Sequence, residues 1–163
     1  MNKINKIVLF ASLSTIIAFV LDTLSLFIAI PPISQFFVIA VFYGYFIIAQ
    51  KKKLLFLKKM SLLGIIYSII SVFIAYKFSE NILLLIYYLT FGGILFTIFG
   101  ISLWQLRKQF KGLATALSIL TVITSLQFTL VLLAPEFIIL GRLMQIPTTI
   151  IEAILLFKAA RKL

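Results

Sequence analysis

The sequence contains no cysteine and no histidine, and only four of its 163 residues are acidic. Without cysteine it has no disulfides or thiolate ligands, and without histidine it lacks the usual ligands of zinc and haem and the usual residue of proton relays. No nucleophile–base pair, glycine-rich phosphate loop or paired aspartate motif stands out. We therefore expect no catalytic residues, no metal site, no cofactor and no enzyme activity.

Charged residues of either sign are also scarce, at 12% of the chain, whereas 63% of the residues are hydrophobic. Soluble domains have about 25% charged and about 45–50% apolar residues. Together with a mean hydropathy of +1.23, this composition is typical of a multi-pass membrane protein. No stretch between the apolar runs is long enough for a soluble domain, so we expect a single domain, 1–163.

Six apolar runs approach or reach the length of about 20 residues that a helix needs to cross a bilayer. Pro31-Pro32 ends the first run, because proline lacks the backbone amide and disfavours helix in the residue before it. We predict an all-α fold in which six transmembrane helices form one compact bundle with short loops. The predicted spans are about 7–30, 34–50, 60–76, 82–106, 113–133 and 137–158.

The chain has a net charge of +11, and all but two of its 15 basic residues stand in clusters at alternate ends of these spans. This is the positive-inside pattern, so the N- and C-termini are expected in the cytoplasm and the protein in the cell (plasma or inner) membrane. Short clusters beside spans are not the basic face of a nucleic-acid-binding fold. The expected partners are anionic lipid headgroups at the inner loops, with a membrane protein or a second copy of the chain as a further possibility. The clusters comprise Lys3, Lys6, Lys51, Lys52, Lys53, Lys58, Lys59, Arg107, Lys108, Lys111, Lys158, Arg161 and Lys162.

Small and hydroxylated residues recur every three or four positions in four spans, and so share one face of each helix. Such faces let membrane helices approach closely. Their similar spacing in spans 1, 3 and 5 leaves open a threefold repeat of helical hairpins, although short loops alone produce the same period. The faces are Ala11, Thr15, Ala18, Asp22, Ser25 and Ala29; Gly64, Ser68, Ser71 and Ala75; Thr90, Gly93, Thr97 and Gly100; and Ala114, Ser118, Thr121 and Ser125.

The last span carries Arg142, Gln145, Thr149 and Glu152 on one face about 80° wide. A charge at the centre of a span costs about 2.5–3.5 kcal/mol, so this span needs neighbouring helices to cover its polar groups. Pro147 predicts a kink and a hinge between these residues. The stripe is either a ligand site or a set of polar contacts between helices, and the pattern does not decide between them.

Asp22 in span 1 is expected at about the depth of Arg142, which predicts an ion pair between them. Glu152 lies deeper and has no basic residue at its level, so it is expected to be neutral or held by hydroxyl groups such as those of Tyr67, Thr121 or Thr124. Gln127 in span 5 extends the polar set. The candidates for binding a ligand or ion are Asp22, Arg142, Gln145, Thr149, Glu152 and Gln127.

Two functions agree with these features. The lack of any specific motif favours a non-catalytic membrane component or accessory subunit that packs against partners in the bilayer through an exposed groove of small residues. The alternative is a small-solute binding or transport protein with an intramembrane polar site between spans 1 and 6. That alternative predicts a polar cavity open to one side of the bundle.

Overall fold

The computed structural model describes residues 2–25, 33–77, 82–130 and 137–162, and within them it contains helices and no strand. Asn2 caps the first helix, since its side-chain oxygen accepts the Ile4 amide at 2.7 Å. A short 3₁₀ turn, Trp104–Leu106, joins the fourth and fifth helices. The α-helices are α1 (Lys3–Leu24), α2 (Ser34–Lys51), α3 (Leu55–Lys77), α4 (Ile82–Leu103), α5 (Arg107–Leu130) and α6 (Phe137–Lys162).

Consecutive helices run in opposite directions. In α1 and α2, Ala11 lies against Gly44 while Asp22 lies near Ser34, so residue numbers rise along one helix as they fall along the other. Every later pair of neighbours shows the same inverse order. The contacts are Gln35–Ser71 and Phe42–Gly64, Leu57–Gln105 and Tyr67–Gly92, Gly93–Thr129 and Gly100–Ser118, and Phe110–Lys162 and Phe128–Gly141.

Helix α6 returns to pack beside α1, and so the six helices form a closed ring in chain order. The Ser12 hydroxyl on α1 donates to the Ala153 carbonyl on α6 at 2.8 Å. Because the directions alternate, the starts of α1, α3 and α5 share one end of the ring with the ends of α2, α4 and α6. All the basic clusters named above lie there, and we call it the basic end.

Several predicted boundaries are corrected. Helix α3 begins at Leu55 rather than near residue 60, because Leu57 is fully buried and its amide is accepted by the Gln105 side chain at 3.0 Å. The link 107–112 is a helical turn, broken at Lys111 with φ 40° and ψ −125°. Helices α1 and α6 extend beyond the apolar runs to Lys3 and Lys162. The predicted span ends at 26–30 and 131–133, and Pro31-Pro32, lie outside the described residues.

Five helical segments of the described chain are long and apolar enough to cross a membrane. One of them is a single run of 41 residues that contains α4 from Thr90 onward, the 3₁₀ turn and α5. The prediction of an all-helical bundle whose helices are long and apolar enough to span a membrane is therefore confirmed. The segments are Lys3–Leu24, Ser34–Lys51, Leu55–Ile74, Thr90–Leu130 and Ile139–Lys162.

Most of the described members of the small-residue faces lie between the helices, as predicted. Ala11, Ser68, Ala114 and Ser118 are buried at these contacts, and a Cβ added to Gly93 would meet backbone atoms of α5 at 2.9 Å. Large apolar side chains point outward instead, for example Phe73, which is 71% exposed, and Ile139, which is 65% exposed. This distribution suits lipid outside and close packing inside.

Candidate functional site

A cavity of about 330 Å³ lies inside the ring, in the half away from the basic end. All six helices contribute to its wall, so the site exists only when the ring is closed. Its lining mixes aromatic, hydroxyl, amide and charged side chains. The residues are Thr15, Ala18, Phe19, Asp22, Gln35, Val38, Val41, Phe42, Tyr67, Gly92, Gly93, Phe96, Phe99, Thr121, Thr124, Ser125, Phe128, Arg142, Gln145, Thr148, Thr149 and Glu152.

The polar stripe of α6 faces this cavity. Its spacing of three and four residues keeps all its members on the helix face that the ring turns inward. Of the six candidates named from the sequence, the cavity brings together Asp22, Arg142, Gln145, Thr149 and Glu152. Gln127 does not line the cavity, and its side-chain oxygen is buried without a hydrogen bond.

Pro147 lies inside α6, which is a continuous helix from Phe137 to Lys162. Its position falls on the face of the helix opposite the polar stripe, at 100° per residue. It cannot donate a backbone hydrogen bond to the Leu143 carbonyl one turn earlier. The predicted hinge therefore stays a prediction about movement at this position.

The predicted ion pair between Asp22 and Arg142 is wrong. The Asp22 carboxyl neighbours the Ser34 hydroxyl, and Arg142 attracts it only across the cavity, beyond ion-pair distance. The Arg142 Nη1 group donates to Gln145 Oε1 at 3.1 Å, and its Nε is buried without an acceptor. The guanidinium carbon also lies 5.9 Å from the centre of the Phe128 ring. Asp22 and Arg142 thus contact Ser34 and Gln145 rather than each other, and Arg142 keeps a hydrogen-bond donor, its Nε, without an acceptor.

Glu152 lies beside Tyr45, a residue that the sequence analysis did not single out. Tyr45 is 0% exposed, and its hydroxyl group falls short of hydrogen-bond geometry with any partner. No basic residue in the described part of the chain lies within ion-pair distance of Glu152. Of the hydroxyl groups expected to hold Glu152, that of Thr124 pairs with Thr148 at 3.2 Å.

Aromatic rings continue from Tyr45, the neighbour of Glu152, through the middle of the bundle. The ring centres of Phe42 and Phe99 are 4.9 Å apart, and those of Tyr45 and Phe99 are 5.4 Å apart. Phe96 joins the group through Phe42 at 5.5 Å and Tyr67 at 5.8 Å. We call Phe42, Tyr45, Tyr67, Phe96 and Phe99 the aromatic cluster. The sequence did not reveal it, because 17 phenylalanines are spread over the chain and most positions look alike.

Close packing ends the cavity toward the basic end. Large side chains from all six helices and the 3₁₀ turn are fully buried there and form a continuous apolar core. A molecule in the cavity is therefore separated by this core from the basic residues. The fully buried side chains are Val8, Ile48, Leu57, Leu103, Leu106, Leu117, Leu155 and Leu156.

No protein-family model, curated protein or solved structure matches the chain. The function has to be inferred from the site itself.

Proposed function

We propose that the protein is a multi-pass membrane protein that binds a small polar solute in the central cavity, which it reaches from the non-cytoplasmic side. The observation that carries this proposal is a cavity of about 330 Å³ that contains Asp22, Arg142 and Glu152 without an ion pair among them. Ligand sites occupy cavities of about 300–1,000 Å³ lined mainly by apolar groups with a few convergent polar ones. Ionisable groups inside a membrane bundle commonly mark solute pathways.

Charges that only hold helices together would be expected to pair, because an isolated charge in an apolar medium is costly. Here Asp22 and Arg142 lie on one cavity with their charges apart, and the Nε of Arg142 has no acceptor. A bound solute or water supplies the missing partners. This separation favours a binding site over a purely structural polar stripe.

The accessory-subunit interpretation remains a prediction, although a less supported one. It needs a groove of small residues on the outside of the bundle. In the described part of the chain most residues of the small-residue faces are buried between helices, as at Ser68, Gly93 and Ala114. The exposed surface there consists largely of bulky apolar side chains, which suit lipid without indicating a protein partner.

We also propose six crossings with both termini in the cytoplasm. A straight helix of 41 residues would be about 62 Å long, twice the bilayer core of about 30 Å. Helices α4 and α5 lie antiparallel instead, since Gly100 contacts Ser118 and Gly93 contacts Thr129 on either side of the break at Lys111. The segment then accounts for two crossings. The cationic residues at the basic end favour the cytoplasmic side for that end.

Thermal melting of the full chain in detergent, with a library of small polar solutes, tests the binding proposal. A solute that binds the folded state at 100 times its Kd stabilises it by about 2.7 kcal/mol. We expect at least one solute to raise the melting temperature, and the effect to disappear in Gln145→Leu, which removes a cavity amide. Gln109→Leu is the control, because Gln109 lies near the basic end and outside the cavity lining. A full library without a stabilising solute would contradict the proposal.

A further inference from the structure

We infer that the solute is a small organic cation, an amine or quaternary ammonium compound, whose charged group binds between Glu152 and the aromatic cluster. This rests on the proposed function, since it assigns a ligand class to the same cavity. The juxtaposition that carries it is a carboxyl without a basic partner beside rings that line the same space.

The charges are unevenly distributed along the cavity. Its charged lining residues are Asp22, Arg142 and Glu152. Asp22 and Arg142 both lie at the end away from the basic end, so that end of the cavity carries one charge of each sign. Glu152 lies about 15 Å farther along α6 than Arg142, at about 1.5 Å per residue. The end of the cavity at Glu152, nearer the basic end of the bundle, is therefore acidic. A ligand that pairs with the Glu152 carboxyl carries its positive charge at that end.

The aromatic groups near Glu152 add to this preference, since Tyr45 lies beside Glu152 and the ring centre of Phe99 lies 5.4 Å from that of Tyr45. From α2, Tyr45 places a fully buried hydroxyl beside Glu152, and this hydroxyl makes no hydrogen bond of good geometry. The rings of Phe42, Phe96 and Phe99 line the cavity. The ring centre of Phe42 lies 4.9 Å from that of Phe99 and 5.5 Å from that of Phe96. Aromatic rings attract cations through their negative faces, and they do so more strongly where water is excluded. A carboxyl combined with aromatic rings is a general arrangement for recognising ammonium groups.

The size of the cavity limits the ligand. A volume of about 330 Å³ corresponds to about ten water molecules at about 30 Å³ each. This suits an ammonium group attached to one ring or a short chain, rather than a nucleotide or a peptide. At the other end, the side-chain NH₂ groups of Gln35 and Gln145 can donate to a polar substituent of the ligand, while their oxygens already accept from Ser71 and Arg142.

Three probes of one shape separate charge from size: benzylammonium, benzyl alcohol and benzoate. Their affinities for the purified full chain are measured by isothermal titration calorimetry in detergent. We expect benzylammonium to bind at least about tenfold more tightly than benzyl alcohol, a ratio within the range of a desolvated cation–π contact. Benzoate is expected to bind more weakly than benzyl alcohol. Equal or reversed affinities would overturn the inference.

Variants locate the cation within the cavity. Glu152→Gln should remove the preference for benzylammonium over benzyl alcohol, whereas Lys158→Gln, a charge change on the exposed end of the same helix, should keep it. Phe99→Leu should weaken the binding of benzylammonium more than that of benzyl alcohol. If Glu152→Gln does not fold, this variant alone tests where the cation binds. A preference that survives both cavity variants would place the cation elsewhere and contradict the inference.

The two proposals fail in different ways. If neutral or anionic solutes from the library bind and Gln145→Leu abolishes that binding, the cavity is a solute site and the cation inference is wrong. If no solute and no probe binds, the proposed function itself is wrong.

Discussion

At the scale of single residues, Gly93 sets how closely α4 and α5 approach each other. A Cβ at this position would lie 2.9 Å from the Ser125 carbonyl oxygen and 2.9 Å from the Thr129 amide. Both are backbone atoms, so a flexible side chain cannot move aside to make room. Gly112 provides the contrast, because a Cβ there would meet nothing within 4 Å.

We predict that Gly93→Ala destabilises the protein by about 1–3 kcal/mol, the usual cost of overpacking. Gly112→Ala should be neutral or stabilise by up to about 1 kcal/mol, because alanine loses less backbone freedom than glycine in a helix. Thermal melting of both variants in the same detergent measures the difference. Equal melting temperatures would show that α4 and α5 are not in close contact at Gly93.

The Asp22–Arg142 pair shows what sequence reasoning reaches at this scale. Counting residues from the span ends placed both charges at a common depth, and both indeed lie on one cavity. Depth does not determine which atoms meet, however, because that depends on the rotation of each helix and on competing partners. Ser34 and Gln145 are those partners, and Gln145 lies one turn from Arg142 on its own helix.

At the scale of helices, α6 combines the polar stripe with an internal proline. The stripe was predictable, since its spacing follows from the helical period alone. The role of Pro147 was not, because a proline that leaves the helix continuous and one that acts as a hinge have the same sequence.

The boundaries of α3 and α5 were missed for another reason. The capping contact between Leu57 and Gln105 joins distant parts of the chain.

We predict that Pro147→Ala keeps or raises the melting temperature, since the new amide can donate to the Leu143 carbonyl and proline costs about 3 kcal/mol inside a helix. If Pro147 is a hinge for solute entry, the same variant should weaken solute binding. Ile146→Ala, an exposed neighbour, controls for loss of side-chain volume. A markedly lower melting temperature for Pro147→Ala would mean that packing of α6 requires the proline.

At the scale of the whole molecule, the ring has a packed half toward the basic end and a polar, hollow half away from it. The sequence predicted the helical bundle and the position of the basic clusters at the span ends, because each depends on patterns within or beside one segment. The cavity and the aromatic cluster depend on which faces of six helices meet. No single segment contains that information, which explains why Tyr45, Phe42 and Phe99 were not among the predicted site residues.

The most direct test of the central claim is labelling of single cysteines with a small, membrane-impermeant thiol reagent. The chain has no cysteine, so each introduced one is the only thiol. The informative positions are Gln145 in the cavity, Leu155 in the packed half, Lys53 at the basic end and Ser79 in the link 78–81 between α3 and α4.

In intact cells we predict that Gln145→Cys and Ser79→Cys react, and that Lys53→Cys reacts only after the membrane is permeabilised. Leu155→Cys should remain unlabelled in both conditions, because this position is fully buried in the core that ends the cavity. Labelling of Lys53→Cys in intact cells, or protection of Gln145→Cys when Ser79→Cys reacts, would contradict a cavity that opens to the non-cytoplasmic side.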